Sequence, residues 1–194
     1  MTINKYQSSK EAVETAKEHG FPFGGEADIK NLDDAVGELH EGSRHIRENG
    51  DKAWAYNLKE WTWLKEQKTI HYNTCKKYLL NTVEMEIADC HIRLQSIGGH
   101  YQADFGESGY SRLVSLTSSN IESYEGLSLY CAYCIGKIAK PNQNGLFKIR
   151  PDLIHAVLEA LELWCSKKGI DLEWFIKVKM EFNKGRPYLH LEND

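Results

Sequence analysis

Apolar residues recur three and four positions apart over most of this chain, a period that predicts helices rather than strands. The longest run lies between Tyr72 and Ile97, where Leu79, Val83, Ile87, Cys90, Leu94 and Ile97 keep that interval and Gly98-Gly99 supplies a stop. A second run, Leu32, Ala35, Val36, Leu39 and Ile46, follows Asn31 as its cap and should end near Asn49-Gly50. Asp33 and Asp34 stand in its first turn, where the macrodipole favours acids. Ahead of it a short helix is expected from Ser8-Ser9 to a stop at Gly20, followed by FPFGGEAD as a loop. Further along, GLSLYCAYCIGKIA reads as a helix and PNQNG as a turn. Pro151 then opens a helix whose buried face is Ile154, Val157, Leu158, Leu161 and Trp164, and which Lys167, Lys168 and Gly169 close. Asp171 caps the last helix, with Ile170 and Phe175 placed as a hydrophobic staple.

Two stretches lack this order. From Asp51 to about Lys68 the chain is rich in Trp and Tyr and its helical period is weak, so it reads as helix or ordered insertion. From His100 to Asn120 it is polar, with Gly and Ser and no period, the signature of a long loop. No alternating apolar pattern of useful length appears. The pattern therefore predicts an all-α fold: a helix bundle forming a single domain over residues 1–194, with inserted segments near 51–70 and 100–145.

Composition narrows the class. With 41% hydrophobic and 27% charged residues, the chain has the make-up of an ordinary globular protein. The opening MTINKYQSSKEAVE has no apolar h-region, so no signal peptide is expected, and no run of ~18 apolar residues suggests a membrane span. The formal charge of -4 is spread along the chain without a basic stripe, which argues against long nucleic acid as a partner. Cys75, Cys90, Cys131, Cys134 and Cys165 lie mostly among apolar residues, as buried reduced thiols of a cytoplasmic protein would. Cys131 and Cys134 form a C-x-x-C, but no second ligand pair accompanies it, so a core role is expected.

The candidate chemistry is acidic. Carboxylates three apart on a helix share a face and can hold a divalent ion, and Glu38/Glu41 and Glu86/Asp89 have that spacing. The same spacing recurs at 11/14, 48/51, 104/107, 122/125 and 159/162, so spacing alone singles out none of them. Context does: Leu39 and Ile87 lie inside the first two pairs, within the strongest apolar periodicity. A carboxylate beside a buried stripe needs a metal or cationic partner, because burying it unpaired costs several kcal/mol. Pooled across two packed helices, four carboxylates would suit Mg²⁺ or Mn²⁺ and not zinc or copper. The competing expectation is a solvated rim in which Asp89 pairs with Arg93 and Glu41 with Arg44. Near the C-terminus, Lys179 and Asn183 stand four apart on the last helix, with Arg186 and His190 beyond it, a set of donors for phosphate oxygens.

Three segments carry a resemblance. GIDLEWFIKVKMEFNKGRPYLH is similar to the closing segment of MazG-like nucleotide pyrophosphohydrolases, with its GIDLE entry, KM-x-x-N face and RP-x-x-H exit. EIADCHIRL resembles the family's E-x-x-D helix and VGELHEG its preceding E-x-x-E helix. Together these stretches make up about a fifth of the chain, in the family's order. The resemblance implies an all-α NTP pyrophosphatase fold and cleavage of a nucleoside triphosphate to the monophosphate and pyrophosphate. It implies Mg²⁺ on Glu38, Glu41, Glu86 and Asp89, with one of these carboxylates activating water, Lys179 and Asn183 facing the triphosphate, and Arg186 and His190 matching the tail motif. It also implies a homodimer or homotetramer. The long segment between the acidic helices departs from the family pattern, leaving Glu11/Glu14 as a fallback pair. Two other readings stand beside this one: a phosphoribosyl-ATP pyrophosphatase-like enzyme, and a non-catalytic helical interaction module.

Overall fold

The computed structural model describes residues 5–18, 21–67, 69–101, 121–141 and 147–185. In chain order its helices are α1 (Lys5–Glu18), α2 (Glu26–Asn49), α3 (Trp61–Glu66), α4 (Tyr72–Tyr78), α5 (Val83–His100), α6 (Tyr124–Ile135), α7 (Pro151–Lys167) and α8 (Leu172–Lys184). Two 3₁₀ turns, Gly50–Ala53 and Ala55–Asn57, lead out of α2. Among the described residues the fold is all-α apart from a two-stranded antiparallel ribbon, β1 (Ala139–Pro141) and β2 (Phe147–Ile149), in which Lys140 opposes Lys148. No helix among the described residues is long and apolar enough to cross a membrane.

Helix α5 is the centre. Its turns are buried on nearly every side, by α1, α2, α7 and α8. Met85, Ile87, Leu94 and Ile97 are fully enclosed, each contributing roughly 1.5–3 kcal/mol of apolar burial. The same core continues through Leu39 of α2, Leu127 of α6, Trp164 of α7 and Phe175 of α8. The Trp- and Tyr-rich stretch is pinned to it: Trp61 stacks on Phe175 at 5.6 Å between ring centres, and Trp54 stacks on Trp164 at 6.4 Å. Trp63 stays exposed. All five cysteines are free thiols, Cys134 half-buried and the others buried, so the C-x-x-C packs with the core as expected.

Several boundaries differ from the sequence pattern, each for a local reason. The run from Tyr72 to Ile97 is two helices, not one. It breaks at Leu79–Thr82, where the Thr82 hydroxyl donates to the Leu79 carbonyl at 2.8 Å and closes a turn. Gly98-Gly99 does not stop α5, which runs on to His100. A Cβ on Gly99 would lie 2.8 Å from both the Ser9 carbonyl oxygen and Val13 Cγ2, so this glycine serves the close crossing of α1 over α5. Helix α2 starts at Glu26, not after Asn31. Asp28 is buried there, taking the Gly24 N–H at 3.0 Å and the Tyr101 hydroxyl, while Asn31 donates back to the Pro22 carbonyl at 3.1 Å. Asp171 caps α8 as expected, accepting from the Trp174 N–H at 3.2 Å, and Ile170 and Phe175 are both buried in the core. The expected stop at Gly20, most of the 100–120 loop and most of the PNQNG turn lie outside the described residues.

Candidate functional site

Helices α2, α5 and α8 meet along a line of charged side chains. From α5, Asp89 takes the Lys179 ammonium of α8 at 3.0 Å, with both side chains buried. One turn on, Arg93 reaches across to α2, its Nε 2.9 Å and its Nη2 2.8 Å from Glu38 Oε1 and its Nη1 3.4 Å from Asp34 Oδ2. One turn before, Glu86 lies 3.0 Å from Nε2 of His45, again with both side chains buried. These positions follow from the helical period. Residues 86, 89 and 93 fall on one face of α5, and 34, 38 and 45 on the facing side of α2.

The carboxylates share one electrostatic environment. Burial pushes Glu86 up to about 8, with Lys179 opposing the rise and Glu38 and Asp89 adding to it. Glu38 is likewise raised, by burial first and by Asp89 second, against the pull of Arg93 and Lys179. Burial, with Arg44 behind it, lowers His45 and favours a neutral imidazole beside Glu86. The bonded partners matter here. Removing one partner of a buried ion pair such as Lys179–Asp89 costs about 3–5 kcal/mol.

The structure thus brings together Glu38, Glu86, Asp89 and Lys179. Glu41 stands apart: it is exposed and tied to Arg44, whose Nε lies 2.9 Å from Glu41 Oε2. That pairing agrees with the rim expectation, whereas the expected Asp89–Arg93 pair does not form, because Lys179 holds Asp89 and Arg93 turns to α2. Asn183 is half-buried one turn beyond Lys179, its Oδ1 enclosed and without a hydrogen-bond partner. Arg186 and His190 lie outside the described residues. Glu11 and Glu14 are on α1, and neither joins this cluster.

Arg93, His45 and Asp34 were not legible as site residues from spacing alone, because each depends on which helix crosses α5. A further buried acid, Glu84, is two residues from Glu86 but faces elsewhere. Its two oxygens take the Ala55 N–H at 3.1 and 2.9 Å, which anchors the aromatic segment after α2. Burial raises Glu84 to about 7 in spite of these backbone hydrogen bonds.

Among the described residues no three His, Cys, Asp or Glu side chains are already disposed about a metal ion. The donor chemistry nevertheless fits a hard divalent cation. Glu38, Glu86 and Asp89 offer only oxygens, and burial first, with the neighbouring carboxylates behind it, raises Glu38 and Glu86, a penalty that a divalent cation would relieve. Set against known protein families, curated proteins and solved structures, the chain matches none.

Proposed function

We propose that this chain is a Mg²⁺-dependent nucleoside triphosphate pyrophosphohydrolase whose metal ligands are Glu38, Glu86 and Asp89. The observation that carries this reading is the meeting of buried Glu86 and Asp89 and half-buried Glu38 with Lys179 across three helices. A purely structural core gains little from such a group, since replacing buried ions with apolar residues is often neutral or stabilising. The three motif resemblances support the same reading, with Mn²⁺ as a substitute ion.

Each residue has a distinct task in it. Bound Mg²⁺ supplies polarisation of phosphate oxygens and a water acidified toward neutrality. Glu38, Glu86 and Asp89 hold and orient the ion, and His45 fixes the rotamer of Glu86 through their 3.0 Å contact. Lys179 is held by the fold before substrate arrives, so it can neutralise phosphate charge without reorganising. Asn183 offers an enclosed amide on the same helix face for a further polar contact. Glu41 has no part in this mechanism. A homo-oligomer with a nucleoside triphosphate as its ligand belongs to the same reading.

The test is pyrophosphate release from a panel of NTPs and dNTPs, with Mg²⁺ and with EDTA, for the wild type and Glu86→Gln. Metal-dependent release that falls at least ~100-fold in a folded Glu86→Gln is the expected result. No release from any triphosphate sinks the reading.

A further inference from the structure

We propose that Arg93 is a phosphate-binding residue that rests on Glu38 until a divalent cation takes its place, so that metal and triphosphate bind as a coupled pair. This inference rests on the function proposed above. Its starting point is the way Arg93 is held. Nε and Nη2 converge on a single oxygen, Glu38 Oε1, at 2.9 and 2.8 Å, and Nη1 is 3.4 Å from Asp34. The strongest Arg–carboxylate contact places two parallel N–H groups on two oxygens. Here two donors share one oxygen, and the third contact lies at the outer limit of hydrogen bonding.

Exposure separates the two cations of the site. The Lys179 side chain is 3% exposed and enclosed by the core, whereas that of Arg93 is 25% exposed. Arg93, at the edge of the interface, can therefore leave Glu38 at less cost to packing than Lys179 can leave Asp89. Asp34, on the same face of α2 one turn before Glu38, keeps the guanidinium close after it moves.

Charge supplies the direction of the change. A guanidinium and a divalent cation on one carboxylate repel each other, so an ion that engages Glu38 drives Arg93 off it. The freed guanidinium has five donors in a planar fork suited to phosphate oxygens, and a triphosphate delivered with the ion offers them at that point. Arg93 thereby screens Glu38 when the ion is absent and holds substrate when it is present.

The experiment measures Mn²⁺ binding without nucleotide, by calorimetry or by the spin resonance of free Mn²⁺, and then KM and kcat, for wild type, Arg93→Gln and Arg93→Lys. Removing the competing cation should make Arg93→Gln bind Mn²⁺ several-fold tighter. The same variant should raise KM for the triphosphate about 10-fold or more, the loss of one charge-assisted contact. Arg93→Lys should move both quantities in the same directions by less, since it keeps the charge and loses the fork. If Arg93→Gln does not fold, Arg93→Lys decides by those directions. Mn²⁺ binding that weakens, as it would if Arg93 only braced Glu38, overturns the inference, and so does an unchanged KM. Either result in a variant of an active wild type leaves the pyrophosphohydrolase reading intact. A wild type that cleaves no triphosphate removes that reading and this inference together.

Discussion

In α2 the acids Glu38 and Glu41 stand three residues apart, as Glu86 and Asp89 do in α5. In α5 both acids are buried and face the charged interface, while in α2 Glu38 faces it and Glu41 lies in water with Arg44. Three residues on a helix are about 60° apart around the axis, so such a pair can straddle the edge of a buried face. The width of that face decides the outcome. Helix α2 buries one stripe, with Leu32, Ala35, Leu39 and Ser43, and Glu41 falls beyond its edge. Helix α5 is enclosed from Val83 to Ile92 without interruption, so no position there escapes. An acid pair at this spacing is therefore a site signal in proportion to how far its helix is buried.

The sharpest way to break this contrast is to neutralise the two acids of α2 separately. Glu38→Gln should lower kcat/KM about 100-fold or more, because it removes a ligand and leaves Arg93 without its principal partner. Glu41→Gln breaks an exposed, solvent-screened pair and should leave turnover within about 2-fold of wild type. Steady-state pyrophosphate release checks both. Equal losses would mean that Glu41 reaches the site when substrate binds and that the burial argument fails.

Helix periodicity carried most of the fold into view, and part of the site. The core faces of α5 and α7, the Asp171 cap and the all-α class follow from apolar spacing, because a helix buries what its period aligns. The break at Leu79–Thr82 was hidden because the apolar interval passes straight through it, and the turn is closed by the Thr82 N–H and hydroxyl on the Leu79 carbonyl, which the period does not record. Glu86 and Asp89 were visible as acids embedded in an apolar run, and Lys179 by its spacing from Asn183 on the last helix. The partnership of Arg93 with Glu38 was not, since it depends on the angle at which α2 crosses α5, and a local pattern holds no record of that. Glu84 shows the same limit from the other side. It is as buried as Glu86, yet it anchors the backbone at Ala55 instead of joining the site.

The pair Glu84 and Glu86 yields the next expected effect, on stability rather than turnover. Both acids are raised by burial from the ordinary 4.5, to about 7 and about 8. A carboxyl raised in the folded state binds its proton more tightly there than in the unfolded chain. Its contribution is therefore fully present below about 4.5 and is lost as pH rises through the folded value. In metal-free buffer, urea stability should fall between pH 5 and pH 8, by ~2–3 kcal/mol from Glu84 alone. Glu84→Gln should flatten the part of the fall that ends near 7 and leave the part belonging to Glu86. A profile that rises over this interval would show that both carboxylates are ionised in the fold and paired with cations.

The smallest effects come from two glycines of α2, and they test whether the buried stripe ends where the contrast between Glu38 and Glu41 requires. Ala is favoured over Gly inside a helix by about 0.8–1.0 kcal/mol, so in the absence of neighbours both Gly37→Ala and Gly42→Ala should stabilise. Around Gly37 nothing lies within 4 Å of an added Cβ, and Gly37→Ala should gain about 0.5–1 kcal/mol. At Gly42 an added Cβ would overlap the Tyr124 hydroxyl and come within 2.7 Å of its Cζ. That hydroxyl is not free to retreat, because it donates to the Leu39 carbonyl at 3.0 Å and its ring meets Trp54 and Trp164 edge-on. Gly42→Ala should therefore lose about 1–2 kcal/mol net, the cost of overpacking outweighing the helix preference. Denaturant midpoints at constant slope would read both changes. Opposite signs at two glycines five residues apart would confirm that α2 buries one side only, with Gly42 on it and Glu41 outside.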